Sequence, residues 1–157
     1  MNSFVPILSF TSQHPEETCS FAAQCAERVR QYFRNNQIGF VITLNGPLGA
    51  GKSFFVRSFL QAAGVGGIIA SPTFTLINEY VMTVGNKTFP VHHADFYRLS
   101  DESEIIETGI ESILHGGGLV FTEWGNTFPV IMDNSRWIID IVITGEEARR
   151  FSVLERS

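Results

Sequence analysis

The octapeptide GPLGAGKS, Gly46 to Ser53, has the residue types and spacing to hold a polyphosphate. Gly46, Gly51, Lys52 and Ser53 fill the pattern GxxxxGK[ST], and each position has a task. Backbone N–H groups of the loop and of the helix start after it point at phosphate oxygens; the lysine reaches the terminal phosphates and the hydroxyl joins the shell of a magnesium ion. Pro47, Leu48, Gly49 and Ala50, with Phe54 just past the serine, complete the expected nucleotide-binding segment. A chance glycine-rich turn would not require a strand before it and a helix after it. Both are expected here: Phe40 to Leu44 is a short β-branched apolar run, and Phe54 to Ala63 has helical spacing that ends at Gly64.

A phosphate-bound magnesium also needs a carboxylate, commonly at the end of an apolar strand. Two are offered: Asp95, and Glu123 after Leu119 to Thr122. One would join the metal shell and the other would orient the attacking water. Which carboxylate does which is left open by spacing alone. Ser71-Pro72-Thr73-Phe74-Thr75 follows Gly66-Gly67 and supplies hydroxyls suited to sensing a terminal phosphate, although the same residues also make ordinary turns. Asn86-Lys87-Thr88-Phe89 begins like the guanine-reading NKxD motif but lacks its carboxylate, which favours adenine. His93 and Asp95 fall on one side of an expected strand, near His92 and with His115 further along, but two ligands make an incomplete transition-metal site.

These groups need a scaffold. Ile7 to Thr11 suits a strand, and His14-Pro15-Glu16-Glu17 suits the start of a helix running to about Arg34. In it Phe21, Cys25 and Val29 recur every four residues beside Ala22, Ala26 and Phe33, leaving Arg28, Arg30 and Arg34 as a solvated face. The β-formers between Thr73 and Phe96 surround Gly85-Asn86, which predicts two antiparallel strands joined by a turn. Asp101 to Thr108 reads as a short helix stopped by Gly109, and Gly116 to Gly118 as a loop. Residues 119 to 155 read as strands and turns, with Trp137 to Thr144 and Phe151 to Leu154 closing the sheet. The expected fold is α/β: a P-loop NTPase with a mixed parallel/antiparallel central sheet flanked by helices, one domain over residues 1–157.

Composition narrows the function. At 157 residues, with 44% hydrophobic residues and fourteen phenylalanines, the chain suits one well-packed core. A formal net charge of −5 disfavours unaided binding of nucleic acid. Cys19 and Cys25 match neither metal nor disulfide spacing and read as reduced thiols. With no membrane-spanning stretch and no signal peptide, the expected location is the cytoplasm.

HPEET (His14 to Thr18), GPLGAGKS, SPTFTL (Ser71 to Leu76), HADFYRL (His93 to Leu99) and FTEW (Phe121 to Trp124), in this order, resemble the bacterial TsaE family, also called YjeE. The resemblance runs from about residue 11 to 152. It implies an ATPase that uses ATP and Mg2+ and works with two partner proteins, a catalytic transferase subunit and its non-catalytic paralogue. Together they form threonylcarbamoyladenosine next to the anticodon of tRNAs reading codons that begin with A. The ATPase does not itself transfer the threonylcarbamoyl group, and it meets tRNA through the complex. By position the resemblance assigns Ser53 and Glu123 to magnesium, Lys52 to the terminal phosphates and Asp95 to hydrolysis. It makes SPTFTL a switch segment in which Ser71 and Thr73 respond to the γ-phosphate, brings Arg149 or its neighbour Arg150 to the nucleotide, and places Glu17 near the base. Glu17 as a helix-start acid needs no ligand to explain it. Ser53 stands for the more frequent threonine, Pro47 for a frequent acid, and Gly125-Asn126 for the usual residues after Glu-Trp; each required phosphate and metal group is kept.

Two other functions suit the same loop. A small-molecule kinase would use Asp95 and Arg98 around an acceptor, but the chain has no arginine-rich lid. A binding module would let ATP set partner affinity, with hydrolysis incidental.

Overall fold

The computed structural model describes residues 3–157. Its centre is the pair formed by β2 (Phe40–Asn45) and β5 (Leu119–Glu123), whose residues are almost all buried. Strands covered on both faces lose the apolar–polar alternation of surface strands, which is why FVITLN and LVFTE read as continuous apolar runs. Five more strands complete one sheet: β1 (Phe4–Ser12), β3 (Ile77–Val84), β4 (Lys87–Asp95), β6 (Trp137–Ile143) and β7 (Arg149–Arg156). Their order is β1-β7-β6-β2-β5-β4-β3. β6, β2, β5 and β4 run parallel; the β3–β4 hairpin at one side and β7 and β1 at the other are antiparallel. The sheet is mixed, as expected, but at both edges rather than at the hairpin alone.

Helix α1 (Pro15–Asn35) starts at His14 with proline in its first turn and buries Phe21, Cys25 and Val29. It packs with α2 (Lys52–Ala62) on one face of the sheet, where Phe21, Phe33, Phe55, Phe59 and Phe151 are fully enclosed. Ten of the fourteen phenylalanines are buried, and Phe74, in the loop before β3, is 91% exposed. Arg30 departs from the expected solvated face. Its guanidinium donates to the Ala63 carbonyl at 2.8 Å and the Thr83 carbonyl at 2.9 Å, tying α1 to the end of α2 and to β3.

The opposite face carries α3 (Glu102–Glu107), α4 (Ile110–Leu114) and α5 (Pro129–Asn134). A reciprocal capping box between Asp101 and Glu104 starts α3 where expected. α4 and α5 correct the sequence reading, which has no helix between Gly109 and Gly116 and none after Leu119. Their five and six residues are too few to show a period, and packing of Ile110, Leu114 and Ile131 specifies them instead. A buried hydroxyl chain anchors α5: Thr43 Oγ1 lies 2.9 Å from Thr122 Oγ1 and 2.6 Å from Ser135 Oγ, which donates to the Ile131 carbonyl.

The two thiols are in opposite surroundings. Cys19 is exposed, while burial pushes the Cys25 thiol up to about 12. A thiol reagent at about pH 8 is therefore expected to label one cysteine per native chain and both once denaturant is added. Rapid labelling of Cys25 in the native chain would contradict this packing.

Candidate functional site

The parallel register determines the site. Leu44 of β2 pairs with Glu123 of β5, and Glu123 with Asp95 of β4, so the glycine-rich loop and both carboxylates leave the sheet at the same end. Gly49 and Gly51 hold positive φ angles of 81° and 95°, a left-handed conformation that side chains oppose and this loop needs. Gly51 is the N-cap of α2, so the free N–H groups of the first helical turn face the loop's concavity. That hollow, about 220 Å³, is lined by Leu48 to Phe54, Thr73, Asp95, Glu123 and Trp124.

Lys52 is 6% exposed, and its Nζ donates to the carbonyls of Gly46 at 2.6 Å and Pro47 at 3.1 Å. The same ammonium lies 4.1 Å from the centre of the Trp124 ring. Burial lowers its pKa, while Glu123 and Asp95 oppose that shift. The ammonium thus rests on neutral groups, ready for an anion to replace them. Trp124 adopts φ 59°, an uncommon conformation for a non-glycine residue, and its ring also meets Tyr97 at 5.0 Å.

Ser53 Oγ donates to Glu123 Oε2 at 2.8 Å, which puts a hydroxyl and a carboxylate together at the start of α2. His93 Nε2 lies 2.7 Å from the same oxygen. Asp95 accepts from the Tyr97 N–H at 2.9 Å. Its pKa is raised, chiefly by burial and also by Glu123, against the lowering effect of the Tyr97 N–H, His93 and Lys52. These donors fit a magnesium polyphosphate: backbone N–H groups and an ammonium for phosphate, hard oxygen ligands for the metal.

The segment expected to sense the terminal phosphate reaches this hollow. Ser71 Oγ is 3.5 Å from Ser53 Oγ and 2.8 Å from Thr73 Oγ1. Arg98 donates to the Thr73 carbonyl, and Tyr80 and Asn78 hold Ala70, so the loop is tied down at two places. Of the two late arginines, Arg149 reaches the glycine-rich loop: its guanidinium donates to the carbonyls of Ala50 at 3.0 Å and Gly49 at 3.1 Å. Arg150 is exposed on β7, paired with Thr11 of β1.

A second cavity of about 250 Å³ shares Ala50, Gly51 and Phe54 with the first and is otherwise lined by Pro15, Thr18, Glu146, Glu147, Arg149 and Phe151. Glu17, in the first turn of α1, is not among its lining residues. Pro15 and Thr18 belong to HPEET, where the sequence reading gives a role to Glu17 alone, and Glu146 and Glu147 are further additions, because the fold brings α1 and the β6–β7 turn together only in three dimensions. The histidines disperse: His92 meets Glu79 at 2.9 Å, His115 meets the Glu111 carbonyl, and His93 alone joins the site.

Comparison with known proteins is decisive for the family. The profile described as "Threonylcarbamoyl adenosine biosynthesis protein TsaE" matches residues 12–151. The chain belongs to the TsaE family. It is 34% identical over 145 residues to the tRNA threonylcarbamoyladenosine biosynthesis protein TsaE of Bacillus subtilis, covering 92% of this chain and 84% of that one. The TsaE protein of Rickettsia typhi is 35% identical over 144 residues, covering 91% and 92% of the two chains. The crystal structure of YdiB from the same Bacillus superposes with a TM-score of 0.69 at 28% identity, covering all of this chain and 88% of that one. The TsaE fold is thus a P-loop NTPase fold built on a mixed sheet, in which Gly46 to Ser53 form the glycine-rich loop after β2 and the start of α2.

Proposed function

We propose that this chain binds and hydrolyses ATP with magnesium, as the accessory ATPase of a complex that forms N6-threonylcarbamoyladenosine next to the anticodon of tRNAs reading A-starting codons. The observation that carries this reading is the convergence of Lys52, Ser53, Glu123 and Asp95 on one hollow at the start of α2. The loop N–H groups and Lys52 bind the phosphates, and Ser53 and Glu123 hold magnesium, which when bound neutralises charge on the phosphoryl oxygens. Asp95 orients the attacking water and accepts its proton. The cavity beside the loop, walled by Phe54 and Phe151, takes the nucleoside, with Arg149 in its wall bonded to the glycine-rich loop. Ser71 and Thr73 close toward the γ-phosphate.

Threonylcarbamoyl transfer and tRNA binding belong to two partner proteins, the catalytic transferase subunit and its non-catalytic paralogue. A net charge of −5 suits a subunit that meets tRNA only through them. Among the described residues no helix is long and apolar enough to cross a membrane. Work on tRNA suits a cytoplasmic protein.

Calorimetric titration of ATP, ADP and GTP, each with magnesium and with EDTA, tests the reading. Saturable binding is expected, tighter for adenine than for guanine nucleotides and tighter with magnesium. Hydrolysis is expected to be slow for the isolated chain and faster with both partners, because Arg149 is held by loop carbonyls rather than standing free as an arginine finger. Absence of nucleotide binding under every condition would sink the proposal.

A further inference from the structure

We propose that His93 is a positioning residue for magnesium: by donating from Nε2 to Glu123, it fixes that carboxylate toward Ser53 and so sets how tightly the site holds the metal. The inference rests on the reading of Ser53 and Glu123 as the metal shell.

Glu123 is 3% exposed, and a carboxylate so enclosed depends on its hydrogen-bond donors. Two donors meet one of its oxygens, Oε2: Ser53 Oγ at 2.8 Å and His93 Nε2 at 2.7 Å. They differ in permanence. The Ser53 hydroxyl borders the ligand hollow and must reorient when its oxygen joins a metal shell. The His93 ring is 1% exposed, packed edge-on to Phe121, and outside the lining of the hollow. It is the donor that persists when a ligand arrives.

The ring's other nitrogen supports the same conclusion. Among the described residues His93 Nδ1 is buried with no hydrogen-bond partner, so the single polar contact among them that orients the ring is the one to Glu123. With a carboxylate as acceptor, the proton sits on Nε2 and Nδ1 carries a bare lone pair; the reverse tautomer would bury an unsatisfied N–H against the protein and leave two acceptors facing each other. Direct ligation by His93 is excluded by the same geometry, since Nε2 is taken by Glu123 and Nδ1 is enclosed.

The register explains how one strand serves both carboxylates. His93 pairs with Phe121 and Asp95 with Glu123, so the ring reaches one residue pair up the neighbouring strand to Glu123. Two residues later on the same face of β4, Asp95 enters the hollow.

The test is ADP binding followed by calorimetry across a magnesium series and in EDTA, for the wild-type chain, His93→Leu and His93→Gln. Removing an outer-shell partner of a metal ligand typically costs 10–100-fold in metal affinity, so His93→Leu is expected to need about 10–100-fold more magnesium, with its affinity in EDTA changed by less than about threefold. His93→Gln, whose amide can donate, is expected to recover much of the loss. A leucine variant that needs no more magnesium than wild type overturns the proposal, as does an equal loss in EDTA, the mark of a merely structural residue. Wild-type binding indifferent to magnesium would instead remove the metal reading itself, and the proposal with it. Should His93→Leu not fold, the nitrogen-15 spectrum of the wild-type imidazole decides: a protonated Nε2 with a bare Nδ1 supports the assignment, and the opposite tautomer overturns it.

Discussion

Lys52→Ala is expected to weaken ATP binding by about 100-fold and to reduce hydrolysis by about a thousandfold or more, because under the proposed function it removes the ammonium that faces the terminal phosphates in binding and in the transition state. In the free chain this ammonium is held by two carbonyls and the face of Trp124, none of them a counter-ion. Phosphate offers a charge-assisted bond in their place. Burial depresses the lysine pKa, so raising the pH should weaken ATP binding from below the ordinary lysine value of 10.5. The sign follows from the bound form, in which phosphate favours the protonated amine: protons are taken up on binding, and affinity falls as pH rises through the free-state value. Alanine suits the first helical position of α2, so the melting temperature should change little. Wild-type ATP affinity in the variant would show that the loop alone binds phosphate.

Asp95→Asn is expected to slow hydrolysis by about 10²–10⁴-fold while leaving ATP affinity nearly intact, because the amide keeps the shape but cannot accept a proton from water. Burial and Glu123 already disfavour the carboxylate at this position, so neutralising it should not lower the melting temperature. The same raised pKa gives a sign for the pH profile. The active form is the carboxylate, so turnover should fall on acidification beginning above the ordinary aspartate value of 3.8. Single-turnover hydrolysis measured beside binding separates two outcomes. If the asparagine variant instead loses its response to magnesium and keeps a measurable chemical step, Asp95 is the metal ligand and the roles of the two carboxylates are exchanged. Its effect on tRNA modification further separates an engine from a binding module. Modification that survives without turnover means ATP occupancy is sufficient.

Much of the site was legible because its parts are local. A phosphate loop declares itself within eight residues, and Asp95 and Glu123 each end an apolar run. Their adjacency was not legible, since it depends on the parallel register that pairs β4 with β5. His93 illustrates the gap: the sequence presents it as half of an incomplete transition-metal pair with Asp95, whereas the fold sets its ring against Glu123. Arg30 likewise sat on the polar side of a helical period, yet found two carbonyls that only tertiary packing could bring to it. Arg149 differs from Arg150 only through the fold, which sets the β6–β7 turn beside the glycine-rich loop. The short helices α4 and α5 were missed for the same reason, as neither spans two full turns and both depend on the sheet beneath them.

The place of β7 between β1 and β6 has a consequence for how the chain reaches this state. Of the strands described, β1 is made first, yet its partner among them, β7, is made last. Until β7 appears, β1 has no neighbour and β6 has an open edge, exposing strand edges of the kind that other chains can join. Pairing Phe4 with Arg156 is also a contact of very long sequence separation, and closing such loops slows folding. The phosphate loop, by contrast, lies between β2 and α2 and has its parallel neighbours β5 and β6 in place earlier. A nascent chain can therefore assemble much of its ligand site while its outer flank is still unzipped.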